Sequence, residues 1–205
     1  MAAEIKLLQR GALDAYADEL ATASSDALRI EVMPMRSVVN LRGATADQSL
    51  ITDAQRALGI ELPLMPNRWH GNDRIAAVWL GPDEWLLVAP DSKARGIEKA
   101  MHAARTLDPW LSLVDVSHNY TVLMLSGPRT RDLLAKGCAF DLHSRAFSAG
   151  DCAQTILAKS RVLLRAVDAE NSIELWVRNS FAGYMAEWLL DACRGLQREK
   201  NDRVL

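Results

Sequence analysis

The stretch VDVSHNYTVLMLSGPRTRDLL, residues 114–134, predicts a strand, a break, a second strand and the start of a helix. The second strand is apolar at every position of Val122–Leu125, which is typical of a strand covered on both faces. Ser126 can cap a helix, and Pro128 fits the first helical turn because it has a fixed φ and no donor. Gly137 is the residue type that ends a helix with a left-handed cap, so the stretch predicts a buried strand followed by a short helix.

Composition bounds the class of protein. The chain has 205 residues, of which 49% are hydrophobic, enough for one large domain or two small ones with real cores. The net charge of −2 offers no basic field for nucleic acid or an anionic membrane. The segment Met1–Lys6 lacks the pattern of a signal peptide, and no run reaches the ~20 apolar residues of a membrane span. We therefore expect a soluble, cytoplasmic protein that binds neither nucleic acid nor membrane.

Motifs for known chemistry are scarce. The sequence has no glycine-rich phosphate loop and no serine-hydrolase elbow. Asp115, Ser117 and His118 are the residue types of a catalytic triad, but triads are recognised by geometry rather than by proximity in sequence. The three cysteines cannot all pair and are not at metal-ligand spacing, so we expect buried free thiols: Cys138, Cys152 and Cys193. We assign no catalytic, cofactor-binding or metal-binding residue from these patterns.

The order of predicted elements favours an α+β architecture. Helical and strand patterns run β-α-β-β-α-β and then α-β-β-β-α, which indicates two packed α/β subdomains with mainly antiparallel sheets. We divide the chain into an N-terminal arm (1–26), a first subdomain (27–108), a second subdomain (109–196) and a polar tail (197–205). No flexible linker marks the boundary, so the two halves are expected to share an interface.

Three further segments carry local signals of secondary structure. The alternation in Leu28–Val32 predicts a half-buried strand that continues, after a break at Pro34, through Ser37–Leu41. The proline-containing segment Glu61–Asn72 reads as a stiff loop. The last helix is predicted to begin at Ser180, with one apolar face formed by Phe181, Tyr184, Met185, Trp188, Leu189 and Ala192.

Six tryptophans are many for a chain of this length. Trp85, Trp176 and Trp188 lie in strand or helix stripes, as core residues do. Trp69 and Trp110 lie in loop-like contexts beside proline, asparagine or histidine. Two interpretations stay open for this second pair: anchors of an interface with a partner protein, or partly buried anchors of their own loops.

The D-V-S segment that leads into a strand and then into S-G-P resembles the glycine-cleavage aminomethyltransferase superfamily. The resemblance implies an aminomethyltransferase-like, folate-binding-domain-like fold. Aligned without gaps, the catalytic aspartate of that superfamily falls on Ile97 and its asparagine on Pro90. An isoleucine can neither transfer a proton nor stabilise a developing charge. The resemblance therefore implies that this chain has the superfamily's fold without its catalytic chemistry.

The second superfamily signature, R-x-G-Y-T-G-E-x-G-Y-E-L-Y-V, falls on Leu164–Val177 and has lost every glycine. In the superfamily these glycines allow a turn to approach the folate pterin. Glu170 and Glu174 persist. The resemblance therefore implies that Glu170 is a relic folate-site position in a rebuilt turn.

In its short sequence motifs the chain most resembles one branch of this superfamily, the gamma subunits of heterotetrameric sarcosine oxidases. These motifs span residues 38–193 and include Leu41–Gly43, Ala77–Val88, Leu133–Cys138, Asp141–His143 and Val177–Tyr184. The resemblance implies a non-catalytic structural subunit of a complex that converts sarcosine and O2 to glycine, hydrogen peroxide and a one-carbon unit. It also implies an alpha subunit as the main contact and beta and delta subunits as further partners. FAD, FMN, NAD, tetrahydrofolate and zinc would belong to those other subunits, with no cofactor in this chain.

Two alternatives stay open within the same fold. A stand-alone folate-binding aminomethyltransferase-like enzyme would need a pocket lined by Glu170 or Glu174. A folate-sensing protein of iron–sulfur repair would carry a K-G-C-Y/F-x-G-Q/E signature, which Lys136–Phe140 begins but does not continue.

Overall fold

The computed structural model describes residues 11–44, 48–90, 93–104, 111–169 and 171–202, which contain ten strands and five α-helices. The strands are β1 (Arg29–Val32), β2 (Arg36–Arg42), β3 (Trp69–Gly71), β4 (Ala76–Gly81), β5 (Glu84–Pro90), β6 (Ser112–Asp115), β7 (Tyr120–Ser126), β8 (Cys152–Leu157), β9 (Ser160–Ala166) and β10 (Ile173–Arg178). The helices are α1 (Ala17–Ala23), α2 (Gln48–Leu58), α3 (Ala94–Ala104), α4 (Thr130–Ala135) and α5 (Ala182–Asp202).

The strands form two five-stranded sheets. The first sheet has the order β1-β7-β10-β9-β8, and the second has the order β3-β4-β5-β2-β6. Every pair of neighbouring strands in both sheets is antiparallel. The predicted α+β architecture with mainly antiparallel sheets is confirmed.

Relative to the predicted division at residue 108, each sheet contains one strand from the other part of the chain, although β2–β6 of the second sheet are consecutive in sequence. β1 comes from the first half but pairs with β7, from Arg29 opposite Ser126 to Val32 opposite Leu123. β6 follows α3 in sequence but pairs with β2 of the second sheet, from Val39 opposite Asp115 onward. A division at residue 108 therefore does not separate the two sheets.

This exchange corrects the prediction that Leu28–Val32 and Ser37–Leu41 belong to one interrupted strand. The chain leaves the first sheet at Met33, whose N–H donates to the Val122 carbonyl, and enters the second sheet at Arg36. Pro34 lies between the two strands and has no N–H for a ladder, so the pairing stops there.

The two sheets lie face to face between outer layers of helices. Alternate side chains of each strand point to opposite faces, so Val38 packs between the sheets while Val39 packs against the helices. The central core holds Val38, Val78, Leu86, Val88, Val122, Cys152, Leu163 and Trp176. The architecture is a four-layer α/β/β/α sandwich.

The outer layers contain the rest of the apolar core. Residues of α1, α4 and α5 cover the first sheet, and residues of α2 and α3 cover the second. Trp85 and Trp176 are buried and Trp188 is half-buried against the core, which confirms their predicted packing role. The N-terminal arm packs here too, through fully buried Leu13 and Leu20.

The start and end of α5 differ from prediction. Residues Asn179–Phe181 form a short 3-10 turn, so Phe181 does not continue the apolar face and stays exposed, as does Tyr184. Met185, Leu189 and Ala192 are buried as predicted. The backbone of α5 runs to Asp202, so most of the predicted tail from residue 197 is helical.

One loop prediction also needs correction. Within Glu61–Asn72 the structure has the short edge strand β3, in which Trp69 pairs with Val78 and Gly71 with Ala76. A run of three residues is too short to show the alternation from which strands are recognised in sequence.

Candidate functional site

A buried carboxylate joins the two sheets at one end of the space between them. Glu174 on β10 is 1% exposed, and its Oε1 lies 2.8 Å from Arg36 Nη1 and 2.8 Å from Arg165 Nη2. Its Oε2 accepts hydrogen bonds from Arg165 Nε at 2.8 Å and from Trp176 Nε1 at 2.9 Å. Arg36 belongs to the second sheet and Arg165 to the first, so the carboxylate connects both.

The charges of this cluster keep Glu174 ionised. Burial raises the pKa of the Glu174 carboxyl, but the charges and hydrogen bonds of Arg165 and Arg36 outweigh it and lower the pKa overall. Two guanidiniums face one carboxylate, so this polar contact between the sheets carries an excess of positive charge.

Trp69 closes the cluster from the second sheet. The Arg165 guanidinium carbon lies 4.5 Å from the centroid of the Trp69 ring, a cation–π contact. The Trp69 indole N–H donates to the Ala166 carbonyl at 2.9 Å. The tryptophan is half-buried and is an anchor between the two sheets of its own chain.

Neither oxygen of Glu174 is free for a ligand. A cleft of about 420 Å³ opens beside the cluster, and its lining includes Arg36, Tyr120, Thr121, Trp176 and Asn179. Glu174 is buried, and its two oxygens already make four contacts with three side chains of this chain. Glu174 therefore does not fit a folate-binding role.

The remaining predicted site residues are only partly placed. Trp110 and Glu170 lie outside the residues that the structure describes. For Trp69 the intramolecular contacts match the loop-anchor interpretation, and its role at a partner interface stays a prediction. The superfamily positions Ile97 and Pro90 fall in the buried face of α3 and at the end of β5.

Asp115, Ser117 and His118, which have the residue types of a catalytic triad, lie in a turn and are not arranged as a triad. The Ser117 hydroxyl donates to Asp115 Oδ1 at 2.5 Å and accepts from the Val38 N–H at 2.9 Å. Among the described residues the exposed His118 ring makes no hydrogen bond to either side chain. The hydrogen bonds from Ser117 lower the pKa of the Asp115 carboxyl, which accepts from the Ser117 hydroxyl and backbone N–H within this turn.

The thiols are buried and unpaired, as predicted. Burial raises the pKa of Cys152 to about 12, which keeps it protonated at neutral pH and unreactive. Within the described ranges, no three His, Cys, Asp or Glu side chains converge on a possible metal position. None of the described helices has both the length and the hydropathy to cross a membrane.

Sequence reasoning singled out Glu174 but missed Arg36, Arg165 and the ion pairs. One signal was available: Glu174 is the only charged residue inside the apolar run 173–177, and a buried charge in a strand needs a partner. Which cation supplies it depends on how the sheets face each other, and that is not encoded locally.

A family model and the similar proteins with known names all point to one family. A family model described as sarcosine oxidase, gamma subunit family, matches residues 42–195. The chain is similar to the sarcosine oxidase subunit gamma of an Arthrobacter species, 38% identical over 137 residues, and to that of Corynebacterium sp. strain U-96, 36% identical over 137 residues. The first match covers 66% of this chain and 66% of the relative, and the second 66% and 65%. The aligned part thus spans about two thirds of these relatives' length.

Solved structures extend the likeness. A chain of the heterotetrameric sarcosine oxidase from Corynebacterium sp. U-96, in complex with pyrrole 2-carboxylate, superposes with a TM-score of 0.83 and 27% identity. That match covers 91% of this chain and 95% of the other. The glycine cleavage system aminomethyltransferase T from Bartonella henselae matches with a TM-score of 0.59 and 14% identity, over 85% of this chain and 48% of that one. The second match shows a shared fold.

Proposed function

The chain belongs to the sarcosine oxidase gamma subunit family, and on that premise we propose that it is the non-catalytic structural subunit of a heterotetrameric sarcosine oxidase. The complex would oxidatively demethylate sarcosine to glycine, hydrogen peroxide and a one-carbon unit. The observation that carries the proposal is the superposition of 91% of this chain on 95% of a chain from such a heterotetramer.

The proposal gives this chain partners but no cofactor. Its main contact would be the alpha subunit, with the beta and delta subunits completing the complex in the cytoplasm. FAD, FMN, NAD, tetrahydrofolate and zinc would be bound by those subunits. The chain would contribute surface and stability, and the flavin-dependent oxidation would take place elsewhere.

The buried cluster supports a structural role. Glu174, one of the two glutamates that persist from the superfamily's folate signature, is saturated by Arg36, Arg165 and Trp176. The superfamily's catalytic aspartate position holds buried Ile97, which has no proton to transfer. Glu174, which would contact a ligand in an enzyme of this fold, instead joins the two sheets in this chain.

Co-expression tests the proposal directly. The alpha, beta and delta subunits are produced with and without this chain, and the products are compared by size exclusion, flavin absorbance and sarcosine-dependent peroxide formation. We expect a stable flavin-containing complex only when the chain is present. An unchanged complex with unchanged activity in its absence would refute the structural role.

A second measurement separates this role from a folate-dependent enzyme. Isothermal titration of the isolated chain with tetrahydrofolate should show no saturable heat up to high micromolar concentration. Saturable binding would contradict the non-catalytic assignment and favour the stand-alone aminomethyltransferase-like alternative.

A further inference from the structure

Two arginines stand side by side on the inner face of the first sheet. Arg178 pairs across the strands with Tyr120, and Arg161 pairs with Ile156. The register that sets Val177 opposite Val162 places Arg178 and Arg161 at the next facing position of β10 and β9. A row of four side chains therefore crosses the sheet in the order Tyr120, Arg178, Arg161, Ile156.

This row lies at the end of β10 away from Glu174 and lines cavities that also have residues of the second sheet in their walls. A cavity of about 330 Å³ lies over the row. A second cavity, of about 390 Å³, shares Leu80, Tyr120, Gln154 and Arg178 with the first. Because the two cavities share these four lining residues, we describe them together as the inter-sheet groove.

The positive charges of Arg161 and Arg178 in the inter-sheet groove are not neutralised by any of the residues that the structure describes. Among the described residues, neither Arg161 nor Arg178 makes an ion pair, although Arg178 stacks 4.6 Å from the centroid of Tyr120. The nearby carboxylate, Glu84, is held by Arg42 and Asn40 at 2.8 Å each. Like charges on directly facing strand positions repel and destabilise a sheet.

Apolar side chains flank these charges. Ile156 of the first sheet is 56% exposed, and Val114 of the second is 50% exposed. Both point into the space between the sheets, a side of each strand that elsewhere packs in the core. Large aliphatic groups exposed beside unneutralised guanidiniums are characteristic of a surface that another protein covers.

We propose that the inter-sheet groove docks another subunit of the oxidase, through an extended segment that inserts an Asp or Glu carboxylate between Arg161 and Arg178. The inference rests on the proposed function. Guanidiniums bind carboxylates through paired, charge-assisted hydrogen bonds, and two arginines at facing strand positions can together engage both oxygens of one carboxylate. Apolar side chains of the same segment cover Ile156 and Val114, which a small free acid would leave exposed.

The test uses Arg161→Glu in the co-expressed complex. In the isolated chain this change replaces a repulsive pair by an attractive one beside Arg178, so the melting temperature should stay the same or rise. In the complex it repels the inserted carboxylate, and we expect affinity for the other subunits to fall at least tenfold. The matched control is Lys99→Glu, an equal charge reversal at an exposed position of α3, which should leave affinity within twofold.

The outcomes separate the two proposals. If the wild-type chain enters the complex and Arg161→Glu enters it equally well, docking through the groove is overturned and the structural role stands. If the wild-type chain does not enter the complex, the proposed function fails and the groove proposal fails with it. A well-folded Arg161→Glu chain that is excluded from the complex, with Lys99→Glu retained, supports the groove.

Discussion

At the scale of single residues, Glu174 is a buried carboxylate with ion-pair partners on both sheets. Its single negative charge offsets part of the positive charge of Arg36 and Arg165 between the sheets, and it accepts a hydrogen bond from the Trp176 indole. Removing one partner from a buried ion cluster leaves charge without compensation, which costs far more than an exposed pair contributes.

Glu174→Gln should therefore lower the free energy of unfolding by about 3–5 kcal/mol, as measured by urea denaturation of the isolated chain. The control is Glu31→Gln, which removes an exposed carboxylate 3.5 Å from Arg29 and should change stability by less than about 1 kcal/mol. Equal effects of the two substitutions would show that the buried cluster contributes no more than a surface pair.

The acid dependence of stability should report the same carboxylate. Because the folded pKa of Glu174 is lowered, its contribution is complete above the unfolded value of about 4.3 and is lost as pH falls through the folded pKa. The stability difference between wild type and Glu174→Gln should shrink below about pH 4.3. A difference that stays constant from pH 7 to pH 3 would contradict this assignment.

Trp69→Ala distinguishes the two interpretations of that tryptophan. As an intramolecular anchor, Trp69 contributes a hydrogen bond to Ala166 and a stacking contact to Arg165. Truncation should then lower the stability of the isolated chain by about 2 kcal/mol or more, measured by thermal unfolding. An isolated chain of unchanged stability that no longer assembles would favour the partner interface instead.

At the scale of elements, the sequence predicts strands and helices better than it predicts their sheets. The alternation in β1 and the apolar runs of β7 and β10 identify strands because side-chain period is a local property. Sheet membership depends on pairing partners far along the chain. The exchange of β1 and β6 therefore leaves no signal within either strand.

The turn between β7 and α4 shows how closely the exchanged strand is fitted. Gly127 has φ +109°, and a Cβ there would lie 2.7 Å from the Ala27 carbonyl oxygen just before β1. The same carbonyl accepts from the Arg129 N–H at 2.9 Å. A side chain at Gly127 would both strain the turn and push β1 away from β7.

Gly127→Ala should accordingly cost more than about 3 kcal/mol of stability. Gly59→Ala is the matched control: Gly59 has φ +71° but open space around its Cβ position, so only backbone strain of about 1–2 kcal/mol is expected. Chemical denaturation of both variants measures the difference. Equal losses of stability in the two variants would mean that β1 can shift away from the new side chain without a free-energy cost.

At the scale of the whole molecule, the exchanged strands make the two halves interdependent. A separate first half would lack β6 beside β2, and its own β1 would have no partner strand. The Glu174 cluster adds a second connection between the sheets. Strand exchange is not evident in the sequence, because it depends on which strands pair in three dimensions.

Thermal unfolding of the isolated chain should therefore show one cooperative transition by calorimetry, with equal calorimetric and van't Hoff enthalpies. Residues 27–108 produced alone should give no folded domain by NMR. Two separate transitions, or a folded fragment, would show that the sheets are stable without the strands that they exchange.

Strand exchange also has a consequence during translation. β1 leaves the ribosome well before β7 has been synthesised, and elongation proceeds at about 5–20 residues per second. For several seconds the apolar side chains of Leu28 and Ile30, buried in the finished protein, have no sheet to join. Unpaired strands of this kind are prone to aggregate. Slowing elongation between Val32 and Tyr120 by codon choice should thus reduce the soluble yield without changing a single amino acid.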